Sequence, residues 1–257
     1  MLKSDAIIAV SNFINNYIFE NYPKKGHKFL SPQTLKKKTT IIARGADIDY
    51  FNSDNITHRQ ILDFYQKWHI DESKKIILMP GRFTSWKGHE FLINALSKVK
   101  EDYLCLMVGS SHGHEDFVKR IENQITQKGL NSKVRNLGLC EDMVLAYAIA
   151  NIVICPSTRP EAFGRIPIEA GSSKRIIIAS KIGGALETVI DGKTGFLVEP
   201  NNDEQLADRI SKCLNLSNKE IKQITDAARK NVEENFSNQK MCGSTIDLYQ
   251  KFIDNDN

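Results

Sequence analysis

The strongest constraint on the fold is a regular alternation of short apolar runs with segments of helical periodicity, which begins near residue 75. The apolar runs are rich in Ile, Val and Leu on both faces, as buried parallel strands are. Six runs are predicted as strands: Ile76–Met79, Tyr103–Val108, Val134–Leu137, Ile152–Cys155, Ile176–Ala179 and Phe196–Val198. Helices are predicted between them at His89–Val99, Glu115–Lys128, Asp142–Ala150, Arg165–Ser173 and Ala185–Ile190. We therefore expect an α/β fold with a doubly wound, Rossmann-like parallel sheet of about six strands.

The pattern changes on both sides of this alternation. Beyond Pro200 the chain is helical throughout, with helices predicted at Asp203–Asn215, Lys219–Asn235 and Gln239–Ile253. Before residue 75 we predict strands at Ala6–Val10 and Thr40–Ala43, with a helix at Asn12–Tyr22 and the lysine-rich loop between them. An amphipathic helix is predicted after them at Ile56–His69. This N-terminal part is typical of the end of one α/β unit and the entry into another.

Length and composition limit the function classes. The 257 residues are too few for two complete doubly wound domains of about 150 residues each. We expect no membrane span, because no apolar run approaches ~20 residues, and no signal peptide at the start. Five cysteines without a CxxC pair predict free thiols and a reducing, cytoplasmic setting. A net charge of +4 is too small to indicate nucleic-acid binding.

A dense basic segment contains six lysines between Lys24 and Lys38. A solvated loop is the simpler interpretation of such a run. The alternative is attraction to anionic lipid headgroups, at ~1 kcal/mol per lysine near the surface. Peripheral contact with the inner face of a membrane therefore stays open as a hypothesis.

The loop after the first strand of the sheet is a candidate phosphate site, since ligands of doubly wound sheets bind beyond the carboxyl ends of the strands. It contains Gly81, Arg82 and Lys87 just before a helix. An arginine can bind two phosphate oxygens, a lysine adds a point charge, and a helix N-terminus favours anions. The loop therefore suits a diphosphate. The alternative is an ordinary surface loop with two cations.

The loop after the fourth strand contains two carboxylates, Glu161 and Glu169, on either side of Gly164. Carboxylates accept hydrogen bonds from sugar hydroxyls, and a glycine lets backbone N–H groups approach an anion closely. The apolar surroundings of Glu169 also demand a partner for its charge. Helix capping by Glu161 and structural pairing of Glu169 are the alternatives to ligand binding.

Two further strand-end loops are weaker candidates. Gly183 and Gly184 offer N–H groups to a phosphate or a sugar hydroxyl. His112 and His114 lack a cysteine or carboxylate cluster at metal-ligand spacing, so no metal site is predicted. The dinucleotide fingerprint GxGxxG is absent, and the GKT stretch at 192–194 lacks the first glycine that a P-loop needs.

Three segments in order resemble a known family: GRFTSWKG at 81–88, PEAFGRIPIEA at 160–170 and ASKIGGALETVIDGKTGFLVEP at 179–200. They are similar to the C-terminal, donor-binding half of glycosyltransferase family 4 (group 1) enzymes of the GT-B fold. Those enzymes transfer a sugar from a nucleotide-diphosphate sugar with retention of configuration. The stretches SDAIIAVSNF at 4–13 and IIARGADIDYF at 41–51 resemble the last strand–helix unit of that family's acceptor domain and the crossover between domains.

The resemblance implies one GT-B lobe with a remnant of the second. Residues 1–45 would be the remnant of the acceptor-side domain and the crossover, 46–238 the nucleotide-sugar domain, and 239–257 a C-terminal helix. Where the family has a Gly-Pro pair before the fifth strand, this chain has Lys174 and Ile176, so an altered turn is expected there. No residue corresponds to the glycine-rich loop and the histidine of the family's acceptor domain.

The resemblance also implies roles for the loop residues. Arg82 and Lys87 would hold the donor's diphosphate and stabilise it as the leaving group, and Glu161 would hold hydroxyls of the transferred sugar. These three are the candidate catalytic residues. The other residues would bind the donor, with Glu169 at the ribose and Leu139, Cys140 and Glu141 near the base. The remaining donor-binding residues would be Gly81, Gly109, Phe163, Gly164, Arg165, Gly183 and Gly184. No metal or cofactor is implied, because cations and amides stabilise the leaving group.

The predicted function is transfer of a hexose-type sugar to a glycan or a lipid-linked acceptor, as in cell-envelope polysaccharide synthesis. A missing N-terminal lobe, supplied by a companion chain, would be needed. The main alternative is a non-catalytic nucleotide-sugar-binding module left by truncation of such an enzyme. A GT-B-like nucleotide-sugar epimerase is a third, less favoured, hypothesis. The donor base, the sugar and the acceptor do not follow from the sequence.

Overall fold

The computed structural model describes residues 4–22 and 31–255. Two short parallel strands near the N-terminus, β1 (Ile7–Ala9) and β2 (Thr39–Ile41), pair with each other. The main sheet has six parallel strands: β3 (Lys75–Pro80), β4 (Tyr103–Val108), β5 (Val134–Gly138), β6 (Ile152–Cys155), β7 (Ile176–Ser180) and β8 (Phe196–Val198). The predicted α/β fold with a six-stranded parallel sheet is confirmed.

The helices of the described residues fill the intervals between the strands and the C-terminal part. They are α1 (Asn12–Asn21), α2 (Pro32–Lys38), α3 (His58–Lys67), α4 (His89–Leu96), α5 (Glu115–Gln127), α6 (Met143–Ile149), α7 (Arg165–Ser172), α8 (Ala185–Thr188), α9 (Asp203–Leu214), α10 (Asn218–Asn235) and α11 (Asn238–Asn255). Among these helices none is long and apolar enough to cross a membrane.

The strand order of the main sheet is β5-β4-β3-β6-β7-β8. The chain thus builds outward from β3 to one edge, returns to the middle, and builds outward from β6 to the other edge. The loops after β3 and β6 therefore leave the sheet in opposite directions and leave a crevice between them at the carboxyl ends of the strands. This crevice is where a doubly wound sheet binds its ligand.

Both faces of the main sheet are covered by helices, which explains why its strands are apolar on both sides. In β3, Ile77 and Met79 join the core with α4, α5 and α9. Their neighbours Ile76 and Leu78 join the core with α3, α6 and α7 on the other face. Successive side chains of a strand point to opposite faces, so a single strand contributes to both cores.

The crossover from the N-terminal unit runs along the junction of α10 and α11. The Ala46 N–H donates to the Phe236 carbonyl at 2.8 Å, and the Asn238 N–H donates to the Ala46 carbonyl at 2.9 Å. Ala46 also packs in a small apolar cluster with Phe163 and Val232. The β1–α1–β2 unit is therefore attached to the main domain by backbone pairing as well as by apolar contact. The domain boundaries at residues 45 and 238 stay a prediction.

The basic segment differs from the predicted loop in its second half. Ser31 caps α2 by accepting a hydrogen bond from the Thr34 N–H at 3.1 Å, and Pro32 occupies the first turn. Leu35 is fully buried against the β1–β2 sheet, and this contact stabilises the helix. The prediction of a loop over residues 32–38 is therefore wrong, and its first half at 24–30 lies outside the described residues.

The turn before β7 contains Lys174 in the left-handed region, with φ +53°. Its ammonium group pairs with the Asp54 carboxylate at 2.6 Å, and this contact is largely exposed to solvent. A non-glycine residue costs ~1–2 kcal/mol in this backbone region. The altered turn that the sequence predicts at this position is thus a strained one.

We expect Lys174→Gly to be more stable than Lys174→Ala by about 1 kcal/mol, because both variants lose the contact with Asp54 but only glycine relieves the strain. Urea unfolding of the two variants, followed by circular dichroism, measures the difference. An alanine variant as stable as the glycine variant would contradict the strain at this turn.

Candidate functional site

Two loops border the crevice: the β3 loop (residues 81–88) and the β6 loop (residues 156–164). Their backbones touch directly, since the Thr158 N–H donates to the Trp86 carbonyl at 2.8 Å. Gly88, with φ +83°, lies against Pro156 so closely that a Cβ there would come within 1.9 Å of the Pro156 carbonyl oxygen. Only glycine fits at this position, and the two loops are thereby held in fixed register.

The loop after β4 approaches the β3 loop in the same way. A Cβ at Gly109 would lie 1.9 Å from the Gly81 carbonyl oxygen. The Gly81 N–H continues the sheet by donating to the Val108 carbonyl at 2.8 Å. Beside Gly81 runs the aliphatic part of Lys87, whose Cδ would lie 3.7 Å from a Cβ at Gly81. The absence of a side chain at Gly109 thus lets the loops after β3 and β4 pack backbone to backbone.

A third contact joins the β6 loop to the β7 loop (residues 181–184). Gly183, with φ +58°, would place a Cβ 2.5 Å from the Glu161 carbonyl oxygen, and Gly184 would place one 2.2 Å from that of Phe163. The Gly184 N–H donates to the Glu161 carbonyl at 2.9 Å. These two glycines support the shape of the β6 loop in the described structure, besides any role in contacting a donor.

The packed loops bring Lys87 and Glu161 together as an ion pair. Nζ of Lys87 lies 2.8 Å from Oε2 of Glu161, and the two side chains are only 12% and 16% exposed. The Ser157 hydroxyl donates to Oε1 of the same carboxylate at 2.5 Å, and the Trp86 ring lies 4.5 Å from Nζ. Charges this far from solvent need partners. Neither α7 nor α8 has a side-chain cap, so Glu161 caps neither helix, and its charge holds Lys87 in the crevice.

The thiol of Cys155 borders the same carboxylate, with Sγ 3.8 Å from Oε1 of Glu161. Burial, together with the charge of Glu161, raises the pKa of Cys155 to about 12. The group is therefore a neutral thiol at physiological pH and contributes no second negative charge to the site.

Glu169 lies one turn into α7 and is fixed by two partners. The Tyr147 hydroxyl donates to Oε2 at 2.8 Å, and the exposed Arg165 guanidinium lies 3.2 Å from Oε1. Burial and the neighbouring charge of Glu169 hold the pKa of Tyr147 well above its usual value, so the hydroxyl keeps its proton. The structural pairing of Glu169 is thus present, and it fixes the orientation of the carboxylate.

The remaining predicted residues differ in exposure. The Arg82 guanidinium is exposed and has no ion-pair partner within the described part of the chain. Leu139 is 71% exposed and Glu141 is also exposed, whereas the Cys140 side chain belongs to the core. Phe163 is buried against Phe236, with ring centroids 5.8 Å apart.

Sequence reasoning missed Ser157 and Tyr147. Ser157 lies in the same strand-end loop as Glu161, so its position in the loop was a usable signal. Tyr147 lies on α6, and nothing in its local pattern indicates that it meets a carboxylate 22 residues away. Such contacts between elements follow from packing and not from periodicity.

No group of three or more His, Cys, Asp or Glu within residues 4–22 and 31–255 is arranged to hold a metal ion. His112 and His114 are both exposed. A cleft of about 690 Å³ lies away from the crevice, between α9, α10 and the amino end of β8. Because ligands of doubly wound sheets bind at the carboxyl ends of the strands, the crevice and not this cleft is the candidate site.

Comparison with known proteins places the chain in a family. The model of the glycosyl transferases group 1 matches residues 61–231. A glycosyltransferase of Methanocaldococcus jannaschii is 28% identical over 84% of this chain and 55% of its own length.

Solved structures agree in fold. A glycosyltransferase from Rickettsia africae is 39% identical, with a TM-score of 0.91 over 98% of this chain and 64% of its own. Anabaena HepE, solved with UDP and glucose, is 26% identical, with a TM-score of 0.84 over 96% of this chain and 63% of its own. The chain thus spans 55–64% of the length of these proteins. The expected GT-B lobe is confirmed, and the chain belongs to the group 1 glycosyltransferases.

Proposed function

We propose that the chain is the donor-binding lobe of a retaining glycosyltransferase that takes a hexose-type sugar from a nucleotide diphosphate. The observation that carries this proposal is the Lys87–Glu161 pair at the switch point of the sheet, with the exposed Arg82 in the same loop as Lys87. The UDP bound by Anabaena HepE favours a uridine donor. The acceptor is a glycan or a lipid-linked sugar of the cell envelope.

The chemistry required of the site is charge stabilisation. As the bond between the anomeric carbon and the diphosphate oxygen breaks, the electron pair stays on that oxygen. The acceptor hydroxyl forms the new bond to the anomeric carbon on the face that the diphosphate leaves, and its proton passes to an oxygen of the departing diphosphate. Lys87 has three N–H donors and uses one of them on Glu161, so the others are available to the diphosphate. Together with Arg82 it supplies preset positive charge where negative charge develops.

The two carboxylates serve different parts of the donor. Glu161 lies beside Lys87 and accepts hydrogen bonds from hydroxyls of the transferred sugar. Glu169, held by Tyr147 and Arg165, accepts from the ribose hydroxyls. No metal or other cofactor takes part, because the cations and loop amides carry the charge of the leaving group.

A second lobe completes the enzyme and provides the acceptor site. Exposed apolar side chains on the N-terminal unit and on α11 support this: Ile8, Tyr17, Ile41, Ile246 and Tyr249. Ile246 and Tyr249 are three residues apart on α11 and therefore share one face of that helix, where a partner surface could cover them. The lobe is supplied by further chain or by a companion chain, in the cytoplasm. The alternative is a module that binds nucleotide sugars without transferring them, and a transfer assay with and without the companion separates the two.

We expect Lys87→Met to weaken the binding of UDP by about 100-fold and to destabilise the fold by about 2 kcal/mol, because Glu161 loses its counter-charge. The double variant Lys87→Met/Glu161→Gln should recover most of the stability but not the affinity. Calorimetric titration and thermal unfolding measure both quantities. If the double variant binds UDP as the wild type does, Lys87 is a structural residue only.

We expect Glu169→Ala to weaken UDP binding at least tenfold while leaving the binding of inorganic pyrophosphate unchanged, because the carboxylate contacts only the ribose. Tyr147→Phe keeps the ring packing and is the matched control, with a smaller loss of affinity. Calorimetry with both ligands tests this assignment. Equal losses for UDP and pyrophosphate would contradict it. If the wild-type protein binds no nucleotide and no nucleotide sugar, the assignment of a donor site is wrong.

A further inference from the structure

The carboxylate of Glu187 on α8 is fully engaged by the start of α1, 175 residues away in the chain. Its Oε2 accepts from the Asn12 backbone N–H at 2.9 Å and from the Asn12 side-chain amide at 2.8 Å. Its Oε1 accepts from the Phe13 N–H at 2.9 Å. A carboxylate at a helix N-terminus is favoured both by the free N–H groups and by the helix dipole. The contact is therefore a charge-assisted attachment of α1 to the β7 side of the site.

The residue before Asn12 makes a second contact, with the β6 loop. Ser11 is buried, and its hydroxyl accepts from the Ile14 N–H as the cap of α1. The same hydroxyl donates to the Ala162 carbonyl at 2.5 Å. Ala162 lies between Glu161 and Phe163, so the start of α1 rests on the segment that carries the sugar-binding carboxylate.

Two segments contact the β6 loop, and Glu187 joins them to each other. Glu187 follows Gly183 and Gly184, which pack against the backbone of the β6 loop. The Ser11 hydroxyl contacts the Ala162 carbonyl of the same loop, and Glu187 accepts from Asn12 and Phe13, which directly follow Ser11. The β6 loop thus contacts both the β7 loop and the N-terminal unit, and Glu187 links these two segments.

We propose that Glu187 is a positioning residue for the donor site. It holds the first turn of α1, which keeps Ser11 on Ala162 and thereby orients the β6 loop with Glu161. This inference rests on the proposed function, since the β6 loop is taken to bind the donor. It also couples two regions: because linkage is reciprocal, donor binding at the β6 loop tightens the attachment of α1 to Glu187.

The test uses Glu187→Ala, the milder Glu187→Gln, and Glu234→Ala as a control carboxylate on the exposed face of α10. Without nucleotide, Glu187→Ala should exchange the amide hydrogens of residues 12–14 and 162–164 about tenfold faster than the wild type, with β3 and β4 unchanged. Its Kd for UDP should rise about tenfold. Glu187→Gln keeps one acceptor oxygen, so its exchange rates and its Kd for UDP should lie between those of Glu187→Ala and the wild type. Glu234→Ala should have the exchange rates and the Kd of the wild type.

Three outcomes overturn the inference. Faster exchange confined to α1, with residues 162–164 unchanged, would make Glu187 a structural residue of the N-terminal unit. Unchanged affinity of Glu187→Ala for UDP would also show that Glu187 is only a structural residue of the N-terminal unit. A uniform loss of protection that includes β3 and β4 would indicate general destabilisation. A wild type that binds no UDP refutes the proposed function instead, and the exchange at residues 162–164 then decides whether Glu187 orients the loop.

Discussion

The loops beyond the carboxyl ends of β3, β6 and β7 pack backbone against backbone at Gly88, Gly183 and Gly184. A side chain at any of these positions would come within 1.9–2.5 Å of a carbonyl oxygen of the facing loop. Contacts this close leave the loops no room for independent positions. Everything else in the site depends on this register, because it places residues from separate loops beside one another before any ligand arrives.

The clearest consequence is the ion pair of Lys87 and Glu161. The two residues are 74 positions apart, and their charged atoms lie 2.8 Å apart in a largely buried place. Each charge stabilises the other and holds it at the mouth of the crevice, so neither has to be ordered when the donor binds. Sites that are arranged in advance in this way stabilise developing charge at least cost during the reaction.

The sequence predicts the main sheet well, because strands buried on both faces leave an uninterrupted apolar pattern between helical segments. It also points to the strand-end loops, since the topology of a doubly wound sheet determines which end binds ligand. It does not predict that Lys87 meets Glu161, that Tyr147 fixes Glu169, or that Glu187 holds α1. Those contacts join elements far apart in the chain, and no local periodicity records them. The helix over residues 32–38 was missed for a related reason, because it depends on Leu35 meeting the small sheet.

The most direct test of this account is a crystal structure of the protein with UDP. We expect the diphosphate within hydrogen-bond distance of Nζ of Lys87 and of the Arg82 guanidinium, with the ribose hydroxyls on the Glu169 carboxylate and the β6 loop unmoved. A nucleotide bound elsewhere, such as in the cleft between α9 and α10, would contradict the assignment of the crevice as the donor site.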